Sequence, residues 1–115
     1  MNKPQDFPDM SSMRAAASAA CTMLKVLSNE DRLLILCQLI NGPSNVGELE
    51  ASLGIRQPTL SQQLTVLRDE GLVATERNGK YIIYSLASPD VIRIMETLYS
   101  IYCGAGDSAS GRRTL

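Results

Sequence analysis

A single glycine places the tightest condition on how this chain folds. In "SNVGELEASLGIRQPTLSQQLTVLRDEG", residues 44–71, Gly54 separates two helical patterns by a turn of only three or four residues. The first pattern is short and capped. Asn45 and Glu48 have the spacing of a capping box, in which each side chain accepts the other residue's backbone N–H. Gly54 then takes the position after the helix that favours a left-handed backbone, open to glycine because it carries no Cβ. Pro58 suits the first turn of the second helix, where its missing N–H would have had no partner anyway. Leu60, Leu64 and Leu67 follow at spacings of four and three, which is one face of a helix, and Gly71 ends it. A short helix joined by a glycine turn to a second helix is the helix-turn-helix unit.

The flanking segments extend that unit. "LVATERNGKYIIYSL", residues 72–86, has two β-prone runs around Asn78-Gly79, the dipeptide that favours a two-residue hairpin loop. Upstream, Ser11 or Ser12 can cap an alanine-rich helix running to about Leu27, with an apolar face that includes Ala16, Ala20, Met23, Leu24 and Leu27. "SNED" at 28–31 predicts an N-cap and an acidic first turn for another helix, with Leu33, Cys37 and Ile40 as its buried stripe and a Gly-Pro break at 41–43. Ser88-Pro89-Asp90 caps a last helix running to Cys103. Residues 1–9 read as a flexible arm, 10–103 as the folded domain and 104–115 as a disordered, small-residue tail. The chain, 115 residues long, has room for one core. The expected fold is mainly α with a small β-hairpin, a winged helix-turn-helix.

Most solvent-facing helical positions carry Lys or Glu. The second helix of the unit instead presents Gln57, Thr59, Ser61, Gln62 and Thr65 at its start and outer side, while its leucines face inward. Gln can bond adenine through two hydrogen bonds in the major groove, and Ser and Thr can serve several bases. Arg56 precedes the helix, Arg68 sits near its end, and Arg77, Asn78 and Lys80 stand at the hairpin tip, placed to hold sugar-phosphate. The formal net charge is −1, so affinity for DNA has to come from this local arrangement rather than from a globally basic surface.

At these residues the chain resembles the ArsR/SmtB family of winged-helix repressors. The motifs are "LSNEDRLLIL", "VGELEASLGIRQPTLSQQLTVLRDEGLV" and "NGKYIIYSL", and the likeness runs from Leu24 to Cys103. It implies a homodimer, joined through the first and last helices, that binds an inverted-repeat operator in double-stranded DNA and releases it when an inducer is sensed. The last helix fits that implication: Ile92, Ile94, Met95, Leu98, Tyr99, Ile101 and Tyr102 are more apolar side chains than one small core covers.

The nature of the inducer is constrained by what the chain lacks. There is no His, and the helix before Gly54 has no Cys, so the nitrogen and thiolate ligands of the family's metal sites are missing and neither metal nor cofactor is expected. The commonest general base is missing too, and an enzyme is not expected. The hydrophobic fraction of 44% contains no run of spanning length, and Asp6, Asp9 and Arg14 interrupt any secretory signal, so a cytoplasmic chain with reduced cysteines is expected and no membrane partner. Within the family, "LILC" and "LYSIYC" resemble the BigR and SqrR group of persulfide- and redox-responsive repressors. That resemblance implies that Cys37 and Cys103 are linked through sulfur by a reactive sulfur species or oxidant. The alternative is a thiophilic ion such as arsenite held by Cys21, Cys37 and Cys103.

Overall fold

The computed structural model describes residues 9–104, and the arm expected over 1–9 and the tail over 104–115 lie outside it except for Asp9 and Gly104. Five helices and a three-stranded sheet follow in the order α1 (Met10–Leu27), α2 (Glu30–Ile40), β1 (Ser44–Asn45), α3 (Val46–Leu53), α4 (Gln57–Asp69), β2 (Val73–Asn78), β3 (Tyr81–Leu86) and α5 (Pro89–Tyr99). A π-helical turn, Ser100–Gly104, continues α5. This is the expected winged helix-turn-helix with one added strand. The sheet is antiparallel in the order β1-β3-β2, with Asn45 opposite Ile83 and Val73 opposite Leu86.

The core forms where α2, α3, α4 and α5 meet over the base of the sheet. Ile35, Leu36, Leu49, Leu60, Leu64, Leu67, Val91 and Met95 are fully enclosed, and among the described residues no polar side chain is buried with them. Each such leucine contributes about 2 kcal/mol by leaving water.

Several local expectations are corrected. The cap of α1 is Asp9, not Ser11 or Ser12: its carboxylate accepts the Ser12 N–H at 2.9 Å and the Ser11 hydroxyl at 3.3 Å, and those bonds hold its pKa below the ordinary value. The buried face of α2 is Ile35, Leu36 and Leu39, while Leu33, Cys37 and Ile40 are half-buried. α2 is apolar almost all round, so periodicity alone cannot choose its inner side. α1 meets the core only near its C-terminal end, where Val26 and Leu27 are buried and Met23 packs half-buried against it; Ala16, Ala20 and Leu24 face solvent. The hairpin loop is Gly79-Lys80 rather than Asn78-Gly79, because Asn78 still pairs with Tyr81. Gly79 alone has positive φ there, +65°, which matches a hairpin turn that needs it only at the first loop position. Finally, the regular part of the last helix stops at Tyr99, and Cys103 belongs to the wider π turn.

Candidate nucleic-acid interface and thiol pair

The helix-turn-helix is held by bonds that the local sequence dictates. The capping box closes in both directions: the Glu48 N–H donates to Asn45 Oδ1 at 2.8 Å and the Asn45 N–H donates to Glu48 Oε1 at 2.9 Å. Asn45 also ends β1, so one residue ties the start of α3 to the sheet. Gly54 is left-handed, φ +71°, and its N–H returns to the Glu50 carbonyl at 2.9 Å. Ile55 is buried beneath the turn.

α4 then presents two unlike faces. Leu60, Leu64 and Leu67 are at most 1% exposed and lock the helix to the core. Gln62 and Thr65 lie opposite them in helical projection, with Gln57, Ser61 and Arg68 on one flank and Thr59 on the other; all six are exposed. Two are already engaged. Gln57 Nε2 donates to Glu50 Oε1 across the turn at 3.3 Å, and the Thr65 hydroxyl donates to the Ser61 carbonyl at 2.9 Å. No side chain caps α4, and Arg56 at its N-cap position is exposed. Pro58 has no N–H, so the Gln57 and Thr59 N–H groups are the ones available to an anion there, next to a guanidinium. At the other end the Leu72 N–H bonds the Leu67 carbonyl at 2.9 Å and the Gly71 N–H bonds the Arg68 carbonyl at 3.0 Å, with Gly71 at φ +80°. This Schellman pattern turns the chain directly into β2 and fixes the hairpin against the helix it follows.

At the hairpin tip Arg77, Asn78 and Lys80 are exposed, as the sequence leads one to expect. Two residues of this region escaped the sequence reading. Tyr81 is half exposed, with the Lys80 ammonium 5.4 Å from its ring centre; an exposed aromatic at a loop tip was the available signal. Gln63, next to the outward Gln62, turns inward and accepts from Arg32 at 2.8 Å, a contact between residues 31 apart that no local pattern announces.

The cysteines occupy a different part of the molecule. Cys37 is half-buried on α2, in a groove of about 470 Å³ lined by Leu34, Gln38, Ile40, Asn41, Leu53, Glu96 and Tyr99. Burial pushes its thiol pKa up, and Cys103 pushes it further in the same direction. Cys103 is exposed on the π turn, and Cys21 is exposed on α1. All three are free thiols. Among the described residues no three Cys, Asp or Glu groups come together as a metal site, so the three-thiolate arrangement is not assembled within one chain. Nor is any described helix long and apolar enough to cross a membrane.

Comparison with known proteins places this geometry. Residues 29–75 match the model of the "Bacterial regulatory protein, arsR family". Over 105 residues, 90% of either chain, the sequence is 46% identical to the biofilm growth-associated repressor of Agrobacterium fabrum. The crystal structure of the transcriptional repressor BigR from Xylella fastidiosa superposes with a TM-score of 0.78 at 42% identity, covering 88% of this chain and 100% of that one. Reduced HlyU from Vibrio cholerae N16961 also gives 0.78, at 38% identity, over 82% of this chain and 99% of that one. The chain belongs to the arsR family of bacterial regulatory proteins, which are DNA-binding transcription regulators and not enzymes.

Proposed function

We propose that this chain is a homodimeric transcriptional repressor that holds an inverted-repeat operator while reduced, and releases it when Cys37 and Cys103 are linked by a reactive sulfur species or oxidant. The observation that carries the reading is the placement of these two free thiols, Cys37 in a groove that α2 shares with Glu96 and Tyr99 of α5 and Cys103 exposed on the turn that continues α5, in a chain that shares its fold with BigR. α4 supplies the base-reading groups, chiefly Gln62 and Thr65, and Arg56, Arg68, Arg77 and Lys80 supply phosphate contacts. The exposed apolar side chains of α1 and of the end of α5, among them Leu24, Tyr99 and Tyr102, supply the dimer contact.

The chemistry starts at the exposed sulfur. The Cys103 thiolate attacks the terminal sulfur of a low-molecular-weight persulfide, expels the corresponding thiolate and becomes a protein persulfide. Cys37 gives its proton to solvent, attacks the Cys103 sulfur and expels hydrosulfide, leaving a disulfide. With a hydroperoxide the same order passes through a sulfenic acid, and the groups expelled are alkoxide or hydroxide and then water. The link ties α2 to the end of α5, and so ties the core under α4 to the dimer contact. A shift that disfavours the DNA-competent spacing by about 3 kcal/mol lowers affinity roughly a hundredfold.

Intact-mass and peptide mass spectrometry after persulfide treatment tests this directly. The expected product is an intramolecular Cys37–Cys103 link, with or without inserted sulfur. Cys21→Ser is expected to respond almost normally; loss of its response would favour the three-thiolate arsenite reading.

A further inference from the structure

Arg32, on the first turn of α2, is the most heavily engaged cation among the described residues. Its backbone N–H is fixed by the Asn29 cap at 2.9 Å. Its guanidinium spans three structural elements. Nε donates to the Val26 carbonyl and Nη2 to the Lys25 carbonyl at 3.3 Å, both in the last turn of α1, while Nη1 donates to Gln63 Oε1 on α4 at 2.8 Å. These carbonyls belong to the C-terminal turn of α1, where the helix dipole favours a cation, and that of Lys25 also accepts from the Ser28 N–H and hydroxyl. Gln63 is the only polar residue of α4 that is not exposed. An arginine only donates, so the Gln63 amide oxygen has to face it. Two adjacent glutamines thus do different things: Gln62 points to solvent and Gln63 fastens the helix.

α4 has few other means of fixing its rotation. Its leucines hold it against the core through non-directional contacts, which tolerate small rolls about the helix axis, whereas a hydrogen bond to a rigid planar fork does not. The same fork grips the end of α1, the helix whose remaining length carries exposed Met10, Met13 and Leu24.

We propose that Arg32 and Gln63 are positioning residues for DNA reading: they set the orientation of α4 relative to α1, and thereby the separation of the two α4 helices across the dimer. The inference rests on the reading of α4 as the base-contacting helix and of α1 as part of the dimer contact. Lysine cannot substitute for Arg32, because a single ammonium does not present planar donors to three acceptors on different elements.

The test selects duplexes from a random-sequence pool with the full-length wild-type protein. Affinity is then measured by fluorescence anisotropy on the selected duplex and on versions whose half-sites are moved one base pair closer or farther apart. Wild type is expected to discriminate between spacings, Arg32→Lys and Gln63→Leu to lose about tenfold of that discrimination, and the double variant to lose no more than either single one. Gln63→Glu, which keeps an acceptor facing Arg32, is expected to retain the spacing preference even if its added charge weakens binding to every duplex alike. Circular dichroism and sedimentation establish that the variants are folded dimers. Gln63→Leu removes only a half-buried side chain and keeps the test valid if Arg32→Lys does not fold. A spacing preference unchanged in Gln63→Leu, additive losses in the double variant, or loss of preference in Gln63→Glu would each overturn this inference alone. Failure of wild type to enrich any duplex would overturn the underlying reading and this inference with it.

Discussion

The half of the molecule built from α3, α4 and the sheet contrasts with the half built from α1 and the end of α5. In the first, apart from Tyr81 at the hairpin tip, no large apolar side chain is exposed; both helices end in local hydrogen-bonded turns, and the outward residues are polar. In the second, Met10, Met13, Leu24, Tyr99 and Tyr102 are all more than 40% exposed, and α1 buries only its final turn. The difference teaches where a partner is needed. The first half is complete within one chain, and its open groups suit the polar, anionic surface proposed for it. The other half leaves apolar area that water covers at a cost, and a second copy of the chain is the occupant proposed for it.

Substitution of equivalent leucines gives the largest separation between the halves. Leu64→Ala, in the enclosed face of α4, is expected to lower unfolding free energy by about 2–5 kcal/mol. Leu24→Ala, on α1, is expected to change the stability of the single chain by less than about 0.5 kcal/mol. Urea denaturation at several protein concentrations separates these outcomes, since the Leu24 effect should appear as a change in concentration dependence rather than in the intrinsic midpoint. If Leu24→Ala costs as much as Leu64→Ala at every concentration, the contrast between the halves is wrong. A stronger challenge to the second half is Tyr102→Glu, which would bury an unpaired carboxylate in the proposed contact. Sedimentation is expected to show monomers; an intact dimer would move the interface elsewhere.

Within the first half the two kinds of exposed residue should behave differently. Gln62→Ala is expected to reduce discrimination between operator and mismatched DNA by about 1–3 kcal/mol with little change on unrelated duplexes. Arg77→Ala should weaken all duplexes alike and reduce the slope of log affinity against log salt by about one. Equal losses on all sequences for Gln62→Ala would remove it from base readout. The smallest effect expected is at Cys37. Because burial and then the Cys103 charge raise its pKa, less of it is thiolate at neutral pH than for a free cysteine, and alkylation should accelerate only as pH rises beyond the ordinary thiol range. In a Cys21→Ser, Cys103→Ser background the midpoint should fall part of the way back and stay above that range, since burial is the larger cause. A return to an ordinary thiol profile would mean that burial at the groove is not the main influence.

The helix-turn-helix was legible because its signals are local. Asn45, Gly54, Pro58 and Gly71 each act through a backbone requirement that a few neighbours determine, and each takes the conformation its residue type favours. The outward placement of Gln62 and Thr65 follows from the same periodicity. Features that depend on distant partners were not legible. β1 is two residues long and exists only because β3 pairs with it. α2 is apolar around most of its surface, so its inner side is decided by where α3, α4 and α5 pack. The exposure of α1 follows from its direction, which leaves the core after one turn, and nothing in an alanine-rich pattern encodes that. The Arg32–Gln63 bond joins two ordinary polar residues, whereas the partial burial of Cys37 was legible from its place on the apolar stripe of α2.

The central claim is that DNA binding is governed by a sulfur link between α2 and the end of α5. The most direct measurement is operator affinity, by fluorescence anisotropy, of wild type and of the Cys37→Ser, Cys103→Ser variant, before and after treatment with a low-molecular-weight persulfide and again after reductant. The account predicts that wild type binds when reduced, loses about a hundredfold in affinity on treatment and recovers with reductant, while the double variant stays bound throughout. Release of the double variant by the same treatment would contradict it.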